Sequence, residues 1–323
     1  FFQAEDGIRD FCLSRGLGDV YKRQRVTGRL DAFSPDSVKF HIDIDQSSIN
    51  KNVKVDFHTN TDITMTLKEI NSFIESNNIE LEKKDYTNWW GQINDWRKKE
   101  CLHYEQGEEI IKPQHAISRL YDLTTQKDTF ITTEVGQHQM WAAQYYKFSK
   151  PNRWITSGGL GTMGFGMPAA VGAQMANPDS LVIDIAGEAS FLMNIQEIAT
   201  AVQYKLPIKI FILNNEYMGM VRQWQELLHG SRYSESYVDA LPDFKKLAES
   251  FNAVGVRAKN VSELDDAINE MVSIDRPVIA DIWVDKKENC FPMIPSGAAH
   301  HEMLLSKYDK ENPENQEKGK VLV

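Results

Sequence analysis

Two polar groups, each placed directly after an apolar segment, constrain the fold of this chain more than any other feature. Residues 182–186 run into Gly187 and Glu188, and residues 208–213 run into Asn214 and Asn215. Residues 191–204, between the two groups, contain no glycine or proline and carry apolar residues at helical spacing. The pattern predicts a strand–helix–strand unit with parallel strands, and such units open a ligand cleft at the carboxyl ends of their strands.

The two polar groups also suggest a chemistry for that cleft. Glu188 and Asn215 would bring a carboxylate and a carboxamide side by side. These are hard oxygen ligands of the kind that Mg²⁺ prefers, and they leave coordination positions free for diphosphate oxygens. Glycine turns and asparagines also end strands in α/β proteins that bind no metal. The spacing alone therefore leaves both interpretations open.

The bulk composition excludes several classes of partner. The chain has 323 residues, enough for one or two domains, and its 36 basic and 46 acidic residues give a net charge of −10. This balance argues against nucleic acid or an anionic membrane as the main partner. Cys12, Cys101 and Cys290 show no CxxC or zinc spacing, which favours free thiols in a reducing compartment such as the cytoplasm. Neither a membrane span nor a signal peptide is predicted.

Longer motifs around the polar groups resemble a known family. They match, in order, the thiamine diphosphate (ThDP) signature of acetohydroxyacid synthase (acetolactate synthase) catalytic large subunits, at residues 135–141, 157–164, 187–197 and 213–224. The resemblance begins at Arg25 and ends near Gly297. It implies an α/β fold: a doubly wound parallel sheet forming the ThDP pyrophosphate-binding domain, preceded by the end of an FAD-binding-type α/β middle domain.

The resemblance and the local patterns divide the chain into five segments. Residues 1–24 have no clear period and are interpreted as a non-native, adapter-derived segment, with a genuine extension as the alternative. Residues 25–80 are interpreted as the carboxyl-terminal remnant of the middle (FAD-binding) domain, and residues 81–111 as a connector. Residues 112–292 form the predicted ThDP diphosphate- and Mg-binding domain, and residues 293–323 form a carboxyl-terminal tail. Strands are predicted at 38–44, 53–57, 130–133 and 278–284, and helices at 63–77 and 113–123.

The resemblance also implies a set of site residues. It assigns metal binding to Glu188, Asn215 and the backbone carbonyl of Tyr217, and a substrate channel to Arg25, Trp224 and Ser296. The implied cofactor contacts are Gln137, His138, Gly161, Thr162, Met163, Glu188, Ala189, Ser190, Asn215 and Met220 for ThDP, and Asp43 and Asp62 for FAD. In the family the Met163 position is an apolar wedge beneath the cofactor.

The residue types alone are also compatible with purely structural roles for several of these positions. Gln137 and His138 would also suit a helix cap, and Asp43 and Asp62 would suit a cap or a ribose contact. Met163 would also suit a hydrophobic core. Residues 159–164 fit GxGxxG, but a dinucleotide site of a dehydrogenase is disfavoured because residues 152–157 are polar and are not a buried strand.

One residue departs from the family pattern. The family has aspartate where this chain has Glu188. The extra methylene moves the carboxylate outward by about a bond length, whereas Mg²⁺ holds its oxygens at about 2.0–2.1 Å. We therefore predict weaker binding of Mg²⁺–ThDP than in an aspartate-containing homologue.

The activity implied by the resemblance is that of a transferase in branched-chain amino acid biosynthesis. Pyruvate is decarboxylated and condensed with a second 2-ketoacid, either pyruvate or 2-ketobutyrate, with ThDP, Mg²⁺ and FAD as cofactors. The implied setting is the bacterial cytoplasm, in a homodimer with full-length subunits and with a regulatory small subunit as a further partner. The family's catalytic glutamate is expected on an amino-terminal domain, so the chain is expected to be a fragment that is inactive alone.

Two other functions remain open at this point. One is a different ThDP-dependent lyase, such as a glyoxylate carboligase, and the other is a non-catalytic ThDP-binding subunit. Gln223, Trp224 and residues 294–297 favour acetolactate synthase over the first alternative. Glu134 precedes the diphosphate segment, and its position disfavours it as the family's catalytic glutamate.

Overall fold

The computed structural model describes residues 29–80, 85–98, 102–238, 240–295 and 297–305. These residues fall into two compact units, the first within 29–103 and 292–305 and the second within 104–291. The predicted segment 1–24, and the predicted channel residues Arg25 and Ser296, lie outside the described residues. The domain boundaries given above stay a prediction.

The first unit contains two short parallel strands and two helices. The strands are β1 (Phe40–Ile42) and β2 (Phe57–Thr59), and the helices are α1 (Ile63–Ser76) and α2 (Thr87–Arg97). The strand predicted at 53–57 is wrong in its placement. Asn50 has a positive φ of 60° and its side-chain oxygen accepts from the Val55 backbone N–H, so the chain turns before β2 begins.

The second unit is built on a six-stranded sheet within the described residues, and every pairing in it is parallel. The strand order is β4-β3-β5-β6-β8-β7. The strands are β3 (Thr129–Thr133), β4 (Trp154–Thr156), β5 (Leu181–Ala186), β6 (Lys209–Asn214), β7 (Val254–Ala258) and β8 (Val278–Trp283). The helices are α3 (Pro113–Thr124), α4 (Gln137–Tyr145), α5 (Gly166–Ala176), α6 (Glu188–Leu192), α7 (Glu197–Gln203), α8 (Gly219–Leu228), α9 (Phe244–Ser250) and α10 (Val261–Ser273).

Continuous apolar strands explain why helices cover both faces of this sheet. Successive residues of a strand point to opposite faces, so β5 places Ile183 and Ile185 in one core and Val182 and Ala186 in the other. Helices α3, α4 and α10 cover the first core, and α5, α7 and α9 cover the second. The predicted doubly wound parallel α/β fold is confirmed.

The helix predicted over 191–204 is divided in two. Helix α6 ends at Leu192 and α7 begins at Glu197, with a turn between them. In that turn the Asn194 side-chain amide donates to the Gly164 carbonyl at 2.6 Å. The break thus places an amide donor against the glycine-rich loop that precedes α5.

The strand order creates a crevice at one point of the sheet. From β3 the chain goes outward to β4, at the sheet edge, and then returns to the other side of β3 as β5. Loops that leave β3 and β5 therefore diverge, and this switch point is where ligands bind in open α/β sheets. Strand β6 pairs with β5, so its carboxyl end lies at the same crevice. Among the described residues, no helix combines the length and apolar character needed to cross a bilayer.

Candidate functional site

Three loops meet at the carboxyl edge of the sheet. They follow β3, β5 and β6. A Cβ at Gly187 would lie 2.7 Å from His138 Nδ1, and a Cβ at Gly219 would overlap the Gln137 side-chain oxygen and lie 2.9 Å from Asn215 Nδ2. Glycine at these two positions lets the three loops come into direct contact.

Glu188 is the most unusual side chain at this edge. It is the first residue of α6, only 1% of its surface is exposed, and neither carboxyl oxygen has a hydrogen-bond partner among the described residues. Burial raises the pKa of Glu188 to about 8, although the nearby backbone N–H groups of Tyr217 and Asn215 oppose the shift. A buried carboxyl without partners is costly, so this is a position that a cation would stabilise.

Asn215 lies against the same loops, with 5% of its surface exposed. Its Oδ1 accepts from the Tyr217 backbone N–H at 3.1 Å, and its Nδ2 lies 3.5 Å from Gln137 Oε1. The backbone N–H groups of Tyr217 and Asn215 lower the pKa of Glu188, so the Glu188 carboxyl lies next to the loop that carries Asn215. Carboxylate, carboxamide and carbonyl oxygens form a donor set that fits Mg²⁺.

The ligand types expected of zinc are not assembled here. In the described part of the chain, no group of three or more His, Cys, Asp or Glu side chains could hold a metal ion. An ion at this edge must therefore use amide and carbonyl oxygens in addition to Glu188. That requirement suits a hard cation that keeps water and ligand oxygens in its coordination shell.

His138 and Gln137 begin helix α4 beside Glu188 and Asn215. The His138 Nε2 has no partner within the described ranges, and burial lowers the pKa of this residue to about 3, so the ring is neutral at pH 7. Gln137 donates its amide to Gln223 Oε1 at 2.8 Å and to the Glu288 carbonyl at 3.1 Å. Gln137 thus connects the start of α4 to Gln223, Glu288 and Asn215, while its contact with a diphosphate stays a prediction.

The start of α4 is suited to an anion. Its N-cap is Gly136, which supplies no side-chain hydrogen bond to the first turn. The unpaired N–H groups of a helix N-terminus and the helix dipole favour phosphate oxygens. Glu188 and Asn215 on one side and the N-terminus of α4 on the other can therefore hold a metal–diphosphate group between them.

The glycine-rich loop at 159–164 does not have dinucleotide-binding geometry. It follows the half-buried edge strand β4, and no helix begins inside it, since α5 begins at Gly166. Gly161 and Gly164 have φ values of 67° and 83°, which L side chains rarely adopt. Thr162 is exposed and donates its backbone N–H to the Ser157 hydroxyl at 2.9 Å, and Met163 is half-buried.

Comparison with known proteins agrees with this geometry. Residues 134–282 match the thiamine pyrophosphate enzyme, C-terminal TPP binding domain family. The chain is 43% identical over 289 residues to the acetolactate synthase isozyme 3 large subunit of Escherichia coli strain K12, covering 88% of this chain and 50% of that protein. It is 40% identical over 310 residues to the Haemophilus influenzae acetolactate synthase large subunit, covering 96% of this chain and 54% of that protein.

This chain is a homologue of acetolactate synthase large subunits. Its likeness extends to a plant protein, acetolactate synthase 1, chloroplastic, of Nicotiana tabacum, which is 42% identical over 290 residues, or 87% of this chain and 43% of that protein. The chain spans about half the length of the curated relatives it matches. The resemblance stated from the sequence motifs is confirmed, and so is its thiamine diphosphate-binding domain.

Other predicted residues of this acetolactate synthase homologue lie near the same loops. Met220 and Trp224 are one helical turn apart on α8 and are both half-buried, so they share one face of that helix. The opposite face is anchored by Arg222, which donates to the Lys287 carbonyl at 2.8 Å. Ala189 is half-buried on α6. The substrate-channel assignment, which also used the undescribed Arg25 and Ser296, stays a prediction.

The two residues predicted to contact FAD lie in the first unit. Asp62 caps helix α1, where its side chain accepts from the Thr64 and Met65 backbone N–H groups, and these bonds lower its pKa. Asp43 lies 3.3 Å from His41 Nε2. The cap is one of the alternatives that the sequence left open for Asp62, and FAD contact stays a prediction for both residues.

Sequence reasoning did not identify Glu134 as a buried carboxylate that hydrogen-bonds the segments around the site. Glu134, at the end of β3, accepts from the Gly164 N–H at 2.6 Å, the Ser190 hydroxyl at 2.7 Å and the Met167 N–H at 3.0 Å. Burial raises its pKa, which these hydrogen bonds oppose. A glutamate after a strand carries no periodic signal, and only the fold brings its three donors together.

Proposed function

We propose that this chain supplies the Mg²⁺- and diphosphate-binding part of an acetolactate synthase. The whole enzyme would decarboxylate pyruvate and condense the product with a second 2-ketoacid, pyruvate or 2-ketobutyrate. The observation that carries the proposal is the buried, unpartnered carboxyl of Glu188 beside Asn215, at the switch point of the sheet. The likeness to acetolactate synthase large subunits supports the choice among ThDP enzymes.

Each residue at the edge would have a defined part in holding the cofactor. Glu188, the Asn215 side-chain oxygen and the Tyr217 carbonyl would hold Mg²⁺, and the N-terminus of α4 with His138 would bind the diphosphate. Bound ThDP supplies the electron sink for decarboxylation, and the protein supplies binding and orientation. The close approach of Gly219 to Gln137 and Asn215 supports a rigid, preformed loop around the ion.

The remaining roles concern the part of the cofactor beyond the diphosphate. Met163 and Met220 would contact the rings of ThDP, and Trp224 would line the path of the substrate. FAD, a homodimer with full-length subunits and a regulatory small subunit complete the proposed enzyme. These assignments follow from the motifs that this chain shares with acetolactate synthases.

Calorimetric titration of the purified chain with ThDP tests the metal–diphosphate site. We expect binding in the presence of Mg²⁺ and its loss when EDTA replaces the metal. Glu188→Gln is expected to weaken Mg²⁺–ThDP binding about tenfold or more, because the neutral amide removes the charged ligand.

Glu197→Gln is the matched control. It makes the same chemical change on α7, where the carboxylate accepts from the Thr200 hydroxyl and lies outside the three loops. Metal-independent binding, or equal affinity in the two variants, would contradict the proposal.

A further inference from the structure

We propose that Glu134 is a positioning residue whose buried carboxylate fixes the backbone of residues 164–167 against Ser190. This inference rests on the proposed function, because the segment so fixed adjoins Ser190 of α6, the helix that begins at the proposed metal ligand Glu188. Glu134 itself directly follows β3 and is fully buried.

The donors around Glu134 come from two separate segments. The Gly164 and Met167 N–H groups belong to the end of the glycine-rich loop and the start of α5, and the hydroxyl belongs to Ser190 of α6. One Glu134 oxygen accepts from both Gly164 and Ser190, while the other accepts from Met167. A carboxylate can accept at both oxygens, so a single side chain ties the loop to the helix that carries Glu188.

The same carboxylate completes the start of α5. That helix begins at Gly166 and has no side-chain cap of its own from Phe165, its N-cap residue. The Glu134 oxygen on the Met167 N–H therefore acts as a cap supplied from a neighbouring strand, where a negative charge is favoured by the helix dipole.

Close packing leaves this segment little freedom to move. A Cβ added at Gly166 would overlap the Asp184 side chain and lie 2.6 Å from the Glu134 backbone nitrogen. From the other side, the Asn194 amide donates to the Gly164 carbonyl. Gly164 is thus held through both its N–H and its carbonyl, and Met163, the residue before it, is placed by that anchor.

Glutamine at position 134 would keep the size and shape of the side chain but could not accept all three hydrogen bonds. A carboxamide has one acceptor oxygen and one donor NH₂ group, so at least one of the three donors would face another donor. Residues 164–167 should then open more often, and the proposed metal–diphosphate site should bind Mg²⁺–ThDP less well. Aspartate would be too short to reach the donors, so glutamine is the cleaner change.

The experiment compares Glu134→Gln with a control in the same buried region. Thr132→Val removes the hydroxyl that donates to Asp184 at 3.0 Å and leaves every Glu134 bond intact. For each protein we would measure the melting temperature, the amide hydrogen exchange of residues 164–167 without cofactor, and the Kd for Mg²⁺–ThDP. A loss of stability alone would lower the melting temperature without a local change in exchange at residues 164–167.

We expect Glu134→Gln to exchange Gly164 and Met167 amides about tenfold faster and to bind Mg²⁺–ThDP about tenfold more weakly. Thr132→Val should lower the melting temperature without either effect. Ser190→Ala removes one donor and should give a smaller change in both, which keeps the test available if Glu134→Gln does not fold.

Unchanged exchange and affinity in Glu134→Gln would overturn the inference, as would equal weakening in Thr132→Val. If the wild-type chain binds no Mg²⁺–ThDP, the proposed function fails, and the exchange measurements still decide whether Glu134 anchors the loop.

Discussion

Replacing Glu188 by glutamine should stabilise the metal-free chain by an amount that grows with pH. Burial raises the pKa of Glu188 from 4.5 to about 8 in the folded chain. Below the lower value both the folded and the unfolded state hold the proton, and the full stability is present. Between the two values the folded state keeps a proton that the unfolded state has released, so stability falls as the pH rises.

The size of the effect follows from this window. Within it, each pH unit should lower the free energy of unfolding of the wild type by about 1.4 kcal/mol relative to Glu188→Gln. Between about pH 5 and about pH 7 the difference should therefore grow by roughly 3 kcal/mol, and it should level off above about pH 8. Other buried carboxyl groups are present in both proteins and cancel in the comparison.

Urea unfolding followed by circular dichroism, in EDTA and at several pH values, measures this difference. Saturating Mg²⁺–ThDP should then reduce this difference, because the metal binds the ionised carboxylate, stabilises the wild type more than Glu188→Gln and releases a proton. Parallel pH profiles for the two proteins would refute the reasoning, since they would mean that Glu188 titrates alike in the folded and unfolded states.

Further predictions concern single positions and the chain as a whole. Glu188→Asp should bind Mg²⁺–ThDP more tightly than the wild type by calorimetry, because the family resemblance implies an aspartate at this position. Equal affinity would contradict the prediction that the extra methylene of Glu188 weakens binding. Gly219→Ala should lower that affinity, since its methyl group would displace the side-chain ends of Gln137 and Asn215, whereas Gly172→Ala, which meets no neighbour, should not. Asp62→Ala should speed amide exchange in the first turn of α1 without changing Mg²⁺–ThDP affinity, and an unchanged exchange rate would argue against the cap. The purified chain, given pyruvate, ThDP and Mg²⁺, should form no acetolactate in a colorimetric assay, because the family resemblance assigns no catalytic glutamate to the motifs of this chain, and product above background would contradict this.

The strand–helix–strand unit could be predicted because its strands are buried on both faces. Continuous apolar runs such as 208–213 have few other solutions in a sheet covered by helices. The split of the helix after Leu192 could not be predicted, because residues 191–204 keep helical spacing throughout. The turn depends on a tertiary bond from Asn194 to the glycine-rich loop.

The residues proposed to bind the metal and the diphosphate could be predicted from motifs, whereas the buried residues that contact them could not. Glu188 and Asn215 directly follow strands, so the rule for parallel sheets predicts their proximity. Glu134 and Gln223 work through partners that are 30 to 86 residues away in sequence. No local pattern encodes such pairs, since they depend on how the strands are ordered.

The parallel order of the sheet has a consequence for how this site comes into being. Glu134, Glu188 and Asn215 are carried by three strands whose neighbours are joined only through crossover helices, so their meeting requires contacts that are distant along the chain. No isolated peptide or early hairpin can assemble them, and loop-closure entropy must be overcome first. Affinity for Mg²⁺–diphosphate should therefore appear only when the central strands have docked, which would make the ligand a reporter of late folding events.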